Sequence, residues 1–266
     1  MQMKQGNITL KKSLGQHFLR DENICRKIVA ALMEHPFDQL LEVGPGAGAL
    51  TKHLLAIPNI QFRAVEIDSE KVNFLEETFP QLAGKIIEQD FLAMERPFGG
   101  KFTLTGNFPY NISSQILFRV LEWKSEVECM VGMFQKEVAQ RVVSREGSKA
   151  YGVLSVLVQA FFDVDYLFEV HEQCFQPPPK VKSAVIRLLP RKEPILARSE
   201  KDFFLLVKTA FNQRRKTLRN AARGLFGEVE LQSEIFNKRA EQLTVGQFAA
   251  LSFKMKPAAV IKMNDA

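Results

Sequence analysis

The sequence predicts an α/β fold, a mostly parallel sheet covered by helices, followed by a small all-helical domain. Three observations predict it. From about residue 39 to 107, short β-rich runs alternate with helical stretches of roughly ten residues, the spacing that right-handed βαβ crossovers need. A glycine cluster, Gly44-Pro45-Gly46-Ala47-Gly48, falls at the first strand-to-helix junction. Beyond Arg191-Lys192-Glu193-Pro194, a segment of linker composition, the pattern is helical.

Taken in order, Leu40-Leu41-Glu42-Val43 is a short apolar run closed by glycines and reads as a buried strand, with a helix expected over 49–56. A second strand is expected over 62–66 and a helix over 69–78, with Pro80 soon after to end it. Strands follow over 85–89 and 102–105, then a strand over 129–134 and a helix over 136–144. Two further β-rich runs, 164–170 and 184–189, flank Pro177-Pro178-Pro179, which must be extended. The helical part is expected over 201–211, 215–226, 231–235 and 245–253. The expected division is one domain over 1–190 and a second over 191–266.

Composition narrows the function classes without naming one. Of 266 residues, 46% are hydrophobic and 25% charged, as in ordinary soluble globular proteins. No apolar run approaches the ~18 residues of a membrane span, and residues 1–12 are polar and basic rather than signal-like. Cys25, Cys129 and Cys174 lie too far apart for metal-ligand or disulfide spacing, so a cytoplasmic chain without a metal is expected. An excess of 36 basic over 30 acidic residues, +6 net, permits nucleic-acid binding without establishing it.

Glycines at a strand-to-helix turn let the backbone approach a ligand closely. Gly44, Gly46 and Ala49 also satisfy the dinucleotide pattern, so the loop alone does not separate a nicotinamide cofactor from S-adenosylmethionine. Glu66 ends the second predicted strand, where a carboxylate can accept from ribose hydroxyls; Asp90 ends the third, where one can accept from an adenine amine. Either acid alone is more often a solvated strand end. Their shared placement with Gly44 at the carboxyl ends of strands favours a pocket.

The segment after the fourth strand, Asn107-Phe108-Pro109-Tyr110, decides between cofactors. An exocyclic adenine nitrogen is a poor nucleophile because its lone pair is delocalised into the ring. Two acceptors around its hydrogens, the Asn107 side-chain oxygen and the Phe108 backbone carbonyl, favour a tetrahedral nitrogen and free that pair. Pro109 restrains Phe108 to an extended conformation, and Tyr110 offers a face on which a base stacks. No deprotonating residue is needed before transfer, since the cationic product loses its proton readily. A nicotinamide dehydrogenase would leave these four residues without a task.

These segments resemble the small-subunit ribosomal RNA adenine dimethyltransferases over nearly the whole chain. Gly15-Gln16-His17-Phe18-Leu19-Arg20-Asp21 is similar to the family's N-terminal signature, 41–51 to its cofactor loop and 107–113 to its catalytic motif. Many members have Asn at His17 and Leu at Phe108. Phe175-Gln176-Pro177-Pro178-Pro179-Lys180-Val181 resembles the segment carrying a second base-stacking aromatic, and 211–220 resembles the C-terminal signature. The resemblance implies a Rossmann-like S-adenosylmethionine-dependent methyltransferase with His17, Leu19, Gly44, Gly46, Glu66, Asp90 and Asn107 around the cofactor. It places Tyr110 and Phe175 on either side of a flipped adenine, on a monomer acting on the small ribosomal subunit and its rRNA, with two methyl transfers onto each of two adjacent adenines.

Arg215, Arg219 and Arg223 recur every fourth residue, one face of the predicted 215–226 helix, opposite Leu218, Ala222 and Leu225. Such a face is often merely solvated; the resemblance favours phosphate contacts. Two other readings share the pocket: a large-subunit rRNA adenine methyltransferase, and a non-catalytic RNA-binding relative of the fold. The Arg214-Arg215-Lys216 segment and the triple proline favour the small-subunit enzyme, and an intact loop and tetrad argue against the non-catalytic one.

Overall fold

The computed structural model describes residues 4–5, 8–9, 17–193 and 195–257; Gly15 and Gln16 of the N-terminal signature and Pro194 of the linker lie outside them. The chain forms two compact units, one of residues 1–139 with 163–190 and one of 140–162 with 191–266.

The first unit is built on seven strands: β1 (Gln39–Val43), β2 (Gln61–Glu66), β3 (Ile86–Glu88), β4 (Phe102–Asn107), β5 (Val127–Gln135), β6 (Phe162–Val170) and β7 (Ser183–Pro190). They lie in the order β3-β2-β1-β4-β5-β7-β6. Pairs β1–β2, β1–β4, β2–β3 and β4–β5 are parallel, while β7 runs antiparallel to β5. The central strands are apolar at nearly every position because both faces are covered, as parallel sheets require. Leu40, Leu41, Leu104, Met130 and Val131 are fully buried, each worth roughly 1.5–3 kcal/mol of transfer free energy for a Leu-sized side chain.

Helix α1 (Glu22–Leu32) begins where the Asp21 carboxylate accepts from the Asn23 and Ile24 amides, a cap that satisfies two otherwise unpaired donors. It buries Ile24, Cys25, Ile28 and Leu32 in the same core as Val131 and Met133 of β5. Helix α2 (Thr51–Leu54) is shorter than the expected 49–56. Helix α3 (Ser69–Thr78), capped by Asp68, follows β2, and α4 (Ser113–Glu122) follows β4. A two-residue antiparallel ribbon pairs Phe175 with Leu19 and Gln176 with Phe18.

Helix α5 (Lys136–Val143) leads from β5 into the second unit, whose core is α7 (Glu200–Asn212) packed on α6 (Val153–Gln159) and α10 (Val245–Ser252). This corrects the expected boundary, since residues 140–162 belong with the C-terminal unit. The reason is packing: the Tyr151 ring meets Phe211 edge-on, and Arg214 donates to the Lys149 and Tyr151 carbonyls.

The expected 215–226 helix is also corrected. Only α8 (Leu218–Ala221) is α-helical there, followed by a 3₁₀ turn at Arg223–Leu225 and α9 (Glu228–Leu231). The Leu218 amide donates to the Lys238 carbonyl at 2.7 Å rather than to a preceding turn, so a tertiary bond starts the helix at 218. Arg215 therefore sits in the preceding turn, Arg219 donates from Nε to the Leu231 carbonyl at 3.0 Å, and Arg223 faces Glu228 at 3.4 Å. The three are not one helical face, although Leu218, Ala222 and Leu225 are buried as their spacing predicts.

Candidate active site

A cavity of about 210 Å³ opens at the carboxyl ends of β1, β2 and β4, where ligands of open α/β sheets bind. The loop after β1 enters it with Gly44 at φ 67° and Gly46 at φ 59°, a backbone that side-chain-bearing residues rarely adopt. A Cβ on Gly46 would also stand 3.0 Å from the Phe18 ring, so the loop can lie there only without a side chain.

Glu66 is 6% exposed and accepts three backbone N–H groups, from Gly46 at 3.3 Å, Ile67 at 3.0 Å and Asp68 at 3.1 Å. Those bonds fix a negative charge on the cavity wall and tie the glycine loop to the end of β2. Asp90 stands exposed at the rim, its Oδ1 accepting from the Leu92 amide at 2.8 Å. His17 and Leu19 enter from the N-terminal segment. The structure thus brings together on one cavity all the expected cofactor residues: His17, Leu19, Gly44, Gly46, Glu66, Asp90 and Asn107.

Asn107 closes β4, and its Nδ2 donates to the His17 carbonyl at 2.9 Å. With the nitrogen so engaged, the amide oxygen is the atom left to accept. The Phe108 ring is 1% exposed, lies 4.8 Å from Phe134, and is seated against Gly106 and Gly132; a Cβ on Gly132 would collide with it, and one on Gly106 would collide with the Val43 carbonyl. Its amide donates to the Met133 carbonyl at 3.2 Å, so side chain and backbone are both held. Pro109 follows with ψ 130°. The Tyr110 hydroxyl pairs with Ser183 Oγ, and burial pushes the phenol up, partly offset by that hydrogen bond, leaving an uncharged ring. The His17 imidazole lies 5.5 Å from the Tyr110 ring, and its Nδ1 donates to the Pro177 carbonyl at 2.9 Å.

Phe175 does not join them. It is 2% exposed, absent from the cavity wall, and packed in the core with Leu19, Cys25 and Val170, because its ribbon pairing with Leu19 turns it inward. Arg215, Arg219 and Arg223 lie in the second unit. Neither buried thiol lines the cavity, and burial pushes Cys25 up to about 11 and Cys129 up to about 12.

Two wall residues escaped the sequence reading. Glu42 is 1% exposed, and burial, with the Glu66 charge adding to it, pushes its carboxyl up to about 8. Its signal was a lone acid inside an otherwise apolar strand. Lys71 of α3 is 1% exposed, 3.8 Å from Asp68 and 5.7 Å from the Phe18 centroid, and helical periodicity alone gave no sign of it.

The strand order, with one antiparallel strand beside β5 and the cavity at the ends of β1, β2 and β4, defines a Rossmann-like methyltransferase fold. Comparisons with known proteins agree. Residues 7–255 match the family described as ribosomal RNA adenine dimethylase. The chain is 49% identical over 253 residues to the ribosomal RNA small subunit methyltransferase A of Flavobacterium johnsoniae, covering 94% of this chain and 97% of that protein. It is 50% identical over 258 residues to the protein of the same name from Phocaeicola vulgatus, covering 95% and 92%. Among solved structures it resembles a dimethyladenosine transferase from Plasmodium falciparum at TM-score 0.75 and 26% identity, covering 87% and 94%. It also resembles the 23S rRNA methyltransferase ErmE at TM-score 0.65 and 26% identity, covering 88% and 99%. The chain belongs to the ribosomal RNA adenine dimethylase family. Fold and family imply use of S-adenosylmethionine, and no described helix is long and apolar enough to cross a membrane.

Proposed function

We propose that this chain dimethylates the exocyclic amines of two adjacent adenines near the 3′ end of small-subunit rRNA, with S-adenosylmethionine as methyl donor. The observation that carries the reading is the Asn107 amide at the cavity wall, its Nδ2 held by the His17 carbonyl at 2.9 Å, which leaves its oxygen as the group able to accept. The residues of the cavity suit the cofactor: glycines that admit close approach, Glu66 for ribose hydroxyls, Asp90 for an adenine amine, and the buried Glu42 carboxyl for a cation. When bound, that group supplies a methyl activated by a positive sulfur.

The chain's own part is positioning and electrostatics. Asn107 Oδ1 and the Phe108 carbonyl accept the two amine hydrogens, and Tyr110 stacks on the base. Once one methyl is on, a single N–H remains, and one of the two acceptors suffices to orient it. Arg214, Arg215 and Lys216, exposed in the turn before α8, suit phosphate contacts that hold rRNA without reading it.

The test is to incubate the protein and labelled S-adenosylmethionine with unmodified small subunits and, separately, unmodified large subunits, then identify nucleosides by mass spectrometry. Dimethyladenosine at adjacent 3′-end adenines is expected. Label on large-subunit RNA alone would move the assignment to the other branch of the family's chemistry. No label on any RNA would remove the enzymatic reading.

A further inference from the structure

Glu42 is an unusual group to find at the end of β1. It sits on a central strand, level with Ala64 of β2 on one side and Thr105 of β4 on the other, and its side chain is buried. Its Oε2 has no hydrogen-bond partner among the described residues, although the residue lines the cavity. The surroundings supply little compensation. Glu66 on β2 adds a like charge, Cys25 on α1 is a neutral thiol, and the uncharged Thr51 hydroxyl on α2 offsets burial only in part. His17, Lys71 and Asp90 share the cavity wall, and the Lys71 ammonium is turned to the Asp68 carboxylate at 3.8 Å.

A poorly compensated carboxylate buried away from bulk water is costly, and protonation is the usual relief. A ligand bearing positive charge changes that balance, because an opposite charge nearby favours the ionised form. We propose that Glu42 is protonated in the free protein and releases that proton to solvent when the cationic cofactor enters the cavity. The inference rests on the cofactor reading above and adds to it a proton linkage that makes affinity depend on pH. The carboxyl, pushed up to about 8 in the free protein, defines the window. Below about 8 each binding event must displace a proton, so affinity rises with pH; above it the carboxylate is already ionised and affinity levels off.

Isothermal titration of the full chain with S-adenosylmethionine, at pH 7 in buffers of different ionisation enthalpy, measures the protons released. Linkage predicts about nine-tenths of a proton per site for wild type, and tightening of up to about tenfold per pH unit between pH 6 and 8. Glu42→Gln should bind with no proton release and a flat pH profile over that range. The wild-type titrations stand alone if the variant fails to fold. Binding with no release and no pH dependence, or release unchanged in Glu42→Gln, overturns the linkage while leaving the cofactor site intact. Absence of any binding overturns the cofactor reading itself. The demethylated thioether product locates the charge: a linkage kept with it points to the ligand's ammonium end, and one lost points to the sulfonium.

Discussion

Adding one methyl group to Gly132 should cripple the site without touching a ligand. A Cβ at that position would stand 2.0 Å from Phe108 Cε2, so reaching the 3.4 Å of ordinary contact requires a retreat of about 1.4 Å. The ring has little space for it, being 1% exposed and 4.8 Å from Phe134. Overpacking of this kind costs about 1–3 kcal/mol of stability. The displacement also carries the Phe108 carbonyl, and a misplacement near 1 Å at a reacting centre lowers turnover by roughly 100-fold. Single-turnover methylation of unmodified small subunits, with denaturant unfolding and cofactor titration on the same sample, separates the effects. Gly132→Ala should lose turnover while keeping cofactor affinity within about twofold, since the clash lies under the tetrad rather than in the glycine loop. Adding Phe108→Leu, which replaces the ring with a shorter aliphatic side chain, should restore most of the loss, as coupled neighbours do. Full turnover and unchanged stability in the single variant would refute the idea that this packing aims the carbonyl.

Asn107→Ala should lower single-turnover transfer at saturating cofactor by about 10²–10³-fold, the range for losing one preorganised hydrogen-bonding group, beyond any change in cofactor affinity. Normal turnover would sink the proposed amine activation. Glu66→Ala leaves three backbone donors without their acceptor and should weaken cofactor binding by roughly 10–100-fold, read by titration calorimetry. An unchanged dissociation constant would remove Glu66 from the site. Charge reversal at the exposed Arg215 and Lys216 should weaken small-subunit binding and spare cofactor affinity. The salt slope of that binding should fall by about one for each phosphate no longer neutralised. For stability, the raised Glu42 carboxyl means the native state holds a proton that the unfolded chain gives up above the ordinary carboxylate range. Its contribution to stability therefore falls as pH rises toward about 8, and Glu42→Gln should flatten the thermal-melting profile between pH 5 and 8. A variant profile parallel to wild type would show that Glu42 is ionised when free.

The βαβ pattern was legible because each strand and helix has a periodicity that local sequence carries. The 69–78 helix is found over Ser69–Thr78, where Asp68 caps one end and Pro80 follows the other. The cofactor wall was legible because glycines and acids at strand ends mark a sheet's binding edge. What local sequence could not carry was partnership at a distance. The Lys238 carbonyl that starts α8 at residue 218, and the Leu19 strand that turns Phe175 inward, are tertiary facts. So is the packing of Tyr151 on Phe211, which takes 140–162 out of the first unit. Glu42 is visible in the sequence as a lone acid in an apolar strand, but its burial on the cavity wall, which pushes its carboxyl up, is again a tertiary fact.

The site is closed by segments far apart in order of synthesis. Asn107 is oriented by the His17 carbonyl, and the His17 ring is anchored by the Pro177 carbonyl, 160 positions later. A chain emerging from the ribosome would carry its glycine loop, its carboxylates and its tetrad well before residue 177 was made. Until then the His17 ring would lack its anchor at the Pro177 carbonyl. The cavity wall at His17 is thus finished by a carbonyl that the chain supplies 160 positions later, and a chain released before residue 177 would lack that anchor.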